Sequence, residues 1–442
     1  MFHHMRRGRL LAVGAAIAAS AMGLAACSSS STPSASSSSS SGGITGSTTV
    51  NVWTSMDQAV VDGVQKQTDV MAAAKGITIK WNRVDNINQV IMTKLNAADK
   101  PDIALIPQPG VVADMVSRGA GFPLNDVLDM NALQSSMIPG TLDAGTINGK
   151  LYGLLVSANV KSLVWYNKPA WDAAGYQIPK SIDELNALTD QIRNEGKVPW
   201  CMGIESGTAT GWPATDWFED LVMRYGGADQ YNQWVKHQIP FNSDLVKKAA
   251  AEFETLMFTK GNVLGGRDAI ASTNFGTAGN PMFDKTPGCW MYKQGSFITG
   301  FFPQPVQDNL AQDVGVFGFP PATAGGDNPV LGGGDMAVML NDSDAAKIAM
   351  NILADKELGI QAAGTSSFIS PHKDFDTSLY DPVTKQVAEV AYNASAFLFD
   401  GSDQMPGVVG AGTFWTDMTK WIQGDESLDT ALSNIDASWP SS

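Results

Sequence analysis

The chain has 442 residues, with 29 basic and 44 acidic side chains and a formal net charge of −15. Such an acidic balance argues against nucleic acid as a partner and against wide contact with anionic lipid heads. Beyond the N-terminus no apolar run is long enough to span a bilayer, and roughly 395 residues follow residue 47, enough for two domains or one bilobed protein.

The first element is an export signal. Arg6, Arg7 and Arg9 form a basic region, Leu10 to Gly23 a short apolar one, and small residues then lead to Cys27. Leu24-Ala25-Ala26-Cys27 resembles the bacterial lipobox, which implies cleavage before Cys27 and lipidation of its thiol. An ordinary signal peptide with an incidental cysteine is the alternative. Removing residues 1–26 takes away three arginines and no acid, so the mature charge falls to about −18. Residues 28–41 are almost all serine and cannot form a core, which predicts a flexible tether over 27–47. Arg6-Arg7 leaves the export route, general secretory or twin-arginine, open.

From Thr48 the pattern is regular. Thr48–Trp53 alternates as a strand. Asp57 can cap a helix whose apolar positions include Val60, Val61, Val64 and Val70, ending at Lys75-Gly76. Gly76–Trp81 reads as a strand, Asn88–Ala97 as a helix and Asp102–Ile106 as a third strand, so βαβ units and a parallel sheet follow. Ser181-Ile182-Asp183-Glu184 is a capping box opening a helix with Ile182, Leu185, Leu188 and Ile192 on one face. Met336–Leu340 is an apolar strand, Asp344–Lys356 a helix, and two amphipathic helices end the chain around Phe414–Gln423 and Glu426–Ala437, split by Gly424. Glycine- and proline-rich stretches near 262–288 and 318–335 read as loops. The mature chain keeps two further cysteines, Cys201 and Cys289. They either pair in an oxidising exterior or stay as buried thiols. With His237 and His372 as the remaining histidines and no CxxC, no metal site and no cofactor are expected.

An ordered set of motifs carries a family resemblance. Val50-Asn51-Val52-Trp53 with Asp57, Lys100-Pro101-Asp102-Ile103, and Asn148-Gly149-Lys150-Leu151-Tyr152-Gly153-Leu154 running into Trp165-Tyr166-Asn167-Lys168 come first. Gly295-Ser296-Phe297 and Met405-Pro406 with Thr413-Phe414-Trp415 follow. Over residues 48–442 the chain resembles the sugar-binding proteins of bacterial ABC importers, the maltose-binding-protein-like branch, with Leu155 where many relatives carry proline. The stretches Pro199–Gly207 and Gly211–Trp217 look similar to the α-glucoside type. The resemblance implies an α/β, two-lobed periplasmic-binding-protein-like fold, each lobe a mainly parallel sheet flanked by helices. Lobe 1 would span 48–156 and about 318–368, and lobe 2 about 157–317 and 369–442. It implies a monomeric receptor, held to the membrane by its lipid anchor alone, that hands a sugar or oligosaccharide to permease subunits.

The residue types suit that ligand. A pyranose has an apolar face that an aromatic ring covers and a hydroxyl rim that carboxylates and amides meet. The resemblance offers Trp415 and Phe297 as stacking rings, with core packing as the alternative for both. Asp57 is a hydroxyl acceptor or a helix cap. Gln108 follows the third strand at the edge where α/β sheets bind ligands. Asn159 lies in the crossing strand. Trp212 and Asp216 form a stack-and-bond pair or a solvent-facing helix start, and Asp335 stands on a glycine-rich loop. Asp400, Asp403 and Gln404 are rim candidates or turn residues. Trp53, Trp165, Trp171 and Trp290 read as packing.

An enzyme is the rival class, since 44 acids could hide a carboxylate pair. Yet GxSxG, HExxH and GxxxxGK[ST] are absent and no eightfold βα repetition appears. A carbohydrate-binding module would more often be all-β. Binders of anionic ligands on the same fold would ask for arginine in the cleft.

Overall fold

The computed structural model describes residues 48–364 and 367–440. The export signal, Cys27 and the serine tether lie outside the described residues. Among the described residues no helix is long and apolar enough to cross a membrane.

The opening βαβαβ run forms as its periodicities demand. β1 (Thr49–Thr54), α1 (Gln58–Ala74), β2 (Thr78–Arg83), α2 (Ile87–Lys94), β3 (Ile103–Ile106) and α3 (Pro109–Ser117) succeed one another, and β1 pairs in parallel with both β2 and β3. Val60, Val61 and Val64 bury their side of α1, whereas Val70 is 73% exposed. Six residues beyond Val64 it has rotated well off the buried stripe, so its apolar character misleads.

Asn148 and Gly149, both at positive φ, close a hairpin of β4 (Thr146–Ile147) and β5 (Lys150–Leu151). β6 (Gly153–Val160) and β7 (Leu163–Asn167) are then one extended run broken only at Lys161-Ser162. β8 (Tyr292–Lys293), β9 (Val314–Gly318), β10 (Val330–Met339) and β11 (Phe397–Phe399) complete the strands. The first sheet runs β11-β10-β3-β1-β2, with β6 on the other edge of β10. The second is β8-β7-β9, lengthened by parallel bridges from Trp200 to Val263 and Met291. The protein is thus a two-lobed α/β fold in which β6 and β7 pass directly from one sheet to the other.

Three details differ from expectation. The parallel pairing holds for β1–β3 and for β10 with β11, but β6 and β3 run antiparallel to β10, and β7 antiparallel to both neighbours. Parallel order follows from βαβ returns, whereas β10 enters the first sheet from β9 of the second and runs against β3 and β6. β11 pairs with β10 in the first sheet, although it follows residue 368 in the chain. The 318–335 segment is no simple loop: β10 begins at Val330 and takes in Gly332 to Asp335, while 262–288 holds three short helical turns.

Two apolar clusters support the lobes, one around β1, β3, β6 and β10 and one around the helix Trp212–Val235. Half of the capping box closes as its spacing predicts, Ser181 Oγ accepting the Glu184 N–H at 3.1 Å, while the Glu184 carboxylate takes the N–H of Lys180, one residue before the cap, at 2.7 Å. Cys201 and Cys289 are joined in a disulfide, their Cα atoms 5.3 Å apart.

Candidate functional site

Where the chain crosses between sheets, the segments that follow the strand ends converge on a cleft. Its first chamber, 260 Å³, is lined by Gln108, Lys161, Trp212, Phe297, Asp400, Ser402, Asp403 and Trp415. Gln108 stands just beyond β3 at the start of α3, and Phe297 sits on the turn Ser296–Phe301. The Phe297 ring lies 5.8 Å from that of Trp212, which packs edge-on to Phe275 at 5.0 Å. Gly211 brings the two tryptophans together. It has φ +115°, and a Cβ there would meet the Trp415 carbonyl oxygen at 2.5 Å. Trp212 Nε1 donates to Ser206 Oγ at 3.1 Å, whereas Trp415 Nε1 is buried without a hydrogen-bond partner.

The second chamber, 210 Å³, shares Phe297 and adds Asp57, Asn159 and Asp335 with Ser55, Ser157 and Ser367 among its walls. Asp57 occupies the N-cap position of α1 but its side chain makes no cap hydrogen bond, so its carboxylate is open to the cleft. Asp335 lies in β10 at a bulge, not on a loop. Gly334 before it has φ +143°, and a Cβ there would sit 2.0 Å from the Ser157 carbonyl oxygen, so the glycine run admits close approach of β6. Burial, with the charge of Asp57, pushes the Asp335 carboxyl up to about 7.

Beneath the first chamber lies an ionic cluster. Lys161 Nζ meets Asp216 at 3.1 Å and also bonds Asp400. Asp400 in turn accepts from Ser402 Oγ at 2.7 Å and from the Asp403 N–H at 3.0 Å. Gln108 ties α2 to the segment after β11: its amide donates to Asp403 at 2.7 Å and accepts from Asn88 at 2.8 Å. Burial alone would push the Lys161 ammonium down, but Asp216, Asp400, Asp403 and Glu219 outweigh it and hold it well above the usual lysine value. Burial likewise opposes ionisation of Asp400, yet Lys161 and the hydrogen bonds from Ser402 and Asp403 bring it down to about 2. Asp216, pushed up to about 8, and Asp403, to about 7, rise because burial exceeds what Lys161 returns. Glu219 rises through burial and the charges of Asp400 and Asp216. Asp216, Glu219 and Asp400 converge as a cation site would, and the cation among them is the protein's own Lys161.

Known proteins share this architecture. The model of the bacterial extracellular solute-binding protein family matches residues 54–354. The chain belongs to that family. It is 38% identical to the osmoprotective compounds-binding protein GgtB of Synechocystis over 83% of this chain and 86% of the relative. It is 37% identical to the alpha-glucosides-binding periplasmic protein AglE of Rhizobium meliloti over 89% and 87%. Its fold matches that of the bacterial solute receptor AcbH with a TM-score of 0.75 at 16% identity, over 88% of this chain and 98% of that one. Solute-binding proteins of this family are binders rather than enzymes.

Within this solute-binding protein the residues singled out by sequence are not all in one place. Asp57, Gln108, Asn159, Trp212, Phe297, Asp335, Asp400, Asp403 and Trp415 line the two chambers. Asp216 does not. It is 4% exposed within the helix Trp212–Val235, so it is neither the cleft partner of Trp212 nor a solvent-facing helix start. Gln404 lies outside the chambers as well. It lines a separate groove with Pro109, Gly110 and Trp439, and its amide donates to the Phe399 carbonyl at 2.7 Å. Lys161 and Ser402 in the first chamber, and Ser55, Ser157 and Ser367 in the second, are polar lining residues that sequence reasoning passed over. Lys161 falls in the break between β6 and β7, so strand alternation counted from Asn159 does not reach it.

Proposed function

We propose that this solute-binding protein is an extracytoplasmic, lipid-anchored receptor that takes a sugar or oligosaccharide, of α-glucoside type, and delivers it to the permease subunits of an ABC importer. The observation that carries this is the first chamber, where Trp212, Trp415 and Phe297 supply apolar faces beside the acceptors Gln108, Asp400 and Asp403. The names of the relatives point the same way, AglE being named for alpha-glucosides. In this reading the ligand bridges the lobes, the closed state gains population, and that state docks on the permease. No bond of the ligand is made or broken. The working lobes are 48–156 with about 318–368, and about 157–317 with 369–442, the segment Phe397–Phe399 being kept with the first. The receptor acts as a monomer, and the lipid on Cys27 keeps it near its permease without entering sugar recognition.

Isothermal titration against maltose, trehalose, sucrose, maltotriose and raffinose tests this. Because one relative is named for osmoprotective compounds, small glycosylated polyols belong in the same panel. Failure of every sugar to bind, together with measurable glycoside cleavage, would overturn the receptor in favour of an enzyme. Cys27→Ser should leave sugar affinity unchanged and release the protein from the membrane fraction.

A further inference from the structure

One face of the helix Trp212–Val235 carries charges that ligand contact does not explain. Asp216, Asp220 and Arg224 recur every fourth residue and Glu219 lies beside them, so the four share a side, and all are buried. That side meets each segment that passes between the lobes. Asp216 meets Lys161 at 3.1 Å and Asp220 accepts from Ser162 Oγ at 2.6 Å, the two residues between β6 and β7. Arg224 donates to the carbonyls of Phe319, at 3.0 Å, and Pro329, the two ends of the segment between β9 and β10. Glu219 accepts the N–H groups of Gly401 at 2.8 Å and Ser402 at 3.0 Å, just past β11. The first two passages are also laced to each other: Lys161 N–H donates to the Leu331 carbonyl at 2.8 Å, and the Leu331 N–H to Ser162 Oγ at 2.7 Å.

Burying this many charges is a poor route to stability, because apolar packing of the same volume often serves as well. What such a face does supply is a single geometry, since each passage has one set of partners. We propose that Glu219 and Arg224, neither of which lines the cleft, are positioning residues. They pin the crossing segments to this helix, make it the pivot on which the lobes close, and hold Lys161, Asp400 and Ser402 at the cleft wall. This rests on the reading that the lobes close on a ligand.

The test is the inter-lobe distance distribution of the ligand-free chain, measured between spin labels at exposed positions as D69C and K260C in a C27S background. The parent should show one narrow distribution. Arg224→Met and Glu219→Ala should broaden it roughly twofold, with Arg224→Lys, which keeps the charge, falling between. Arg224→Met should also weaken sugar binding about tenfold although no cleft residue is altered. Should Arg224→Met not fold, Arg224→Lys against Arg224 gives the same comparison. Folded variants with unchanged distributions and affinities, and only a lowered unfolding midpoint, would overturn the proposal. If no sugar binds the parent but the distribution still broadens, the pivot stands and the sugar reading falls. If sugar binds and the distribution is indifferent to the variants, the pivot falls and the sugar reading stands.

Discussion

Single side chains in the cleft differ in what they are free to do. Trp415 lines the first chamber, and its indole N–H is buried without a hydrogen-bond partner. Trp415→Ala should weaken sugar binding by ~2–4 kcal/mol in isothermal titration, as loss of a buried aromatic anchor does. Unchanged affinity would make it a packing residue. Lys161 is committed in the opposite sense, its ammonium already shared between Asp216 and Asp400. Lys161→Met leaves the buried Asp400 carboxylate without its cation, and denaturant unfolding at neutral pH should show a loss of about 3–5 kcal/mol. Nothing in the residue type distinguishes these two cases. A tryptophan after a glycine-rich loop and a lysine after a strand look alike whether they face a ligand or a neighbour.

At the scale of elements, the segment 199–204 is held by two different means. The backbone of Trp200 bridges Val263 and Met291, and Cys201 is tied to Cys289 across 88 residues of sequence. By the loop-closure argument that bond contributes ~4–5 kcal/mol. Cys201→Ala with Cys289→Ala, or reduction of the folded protein, should lower unfolding free energy by about that amount in urea. A loss near zero would mean that residual structure in the unfolded chain already keeps residues 201 and 289 close together. The elements themselves were legible where local signals suffice, as in the capping box at Ser181 and the positive-φ glycine, Gly424, that ends the helix Trp415–Gln423. They were misread where a partner strand decides. Gly332 to Asp335 reads as loop because glycine is a poor strand former, yet β6 approaches so closely that glycine is what the strand requires.

For the whole molecule, the surplus of buried carboxyls sets the response to pH. Asp216, Asp403 and Asp335 keep their protons to about 8, 7 and 7 in the folded protein, while the unfolded chain gives them up near 4. Between those values the folded state binds more protons, so stability falls as pH rises from about 4 toward 8. Asp400 works the other way, stabilising above the ordinary carboxylate range and losing that contribution as pH falls toward 2. The unfolding midpoint of the ligand-free protein should therefore be higher at pH 5 than at pH 8, and Asp335→Asn should shrink the difference. A midpoint that climbs between those pH values would show that the carboxyls are ionised in the fold.

The same scale separates what the chain states locally from what the fold alone decides. Sequence by itself determined the alternation of strands and helices, the order of motifs along the two lobes, and nine of the residues that line the chambers. The alternation depends on periodicity and short-range chemistry, which neighbouring residues carry between them, whereas the motif order and most of the nine positions rest on the family resemblance. It did not determine that Asp216 turns inward to Lys161, that Gln404 faces another groove, or that one helix face meets every crossing segment. Those contacts join residues tens to hundreds of positions apart. Only packing the lobes selects them, because a charged side chain's partner is set by which segments the fold brings within hydrogen-bond reach.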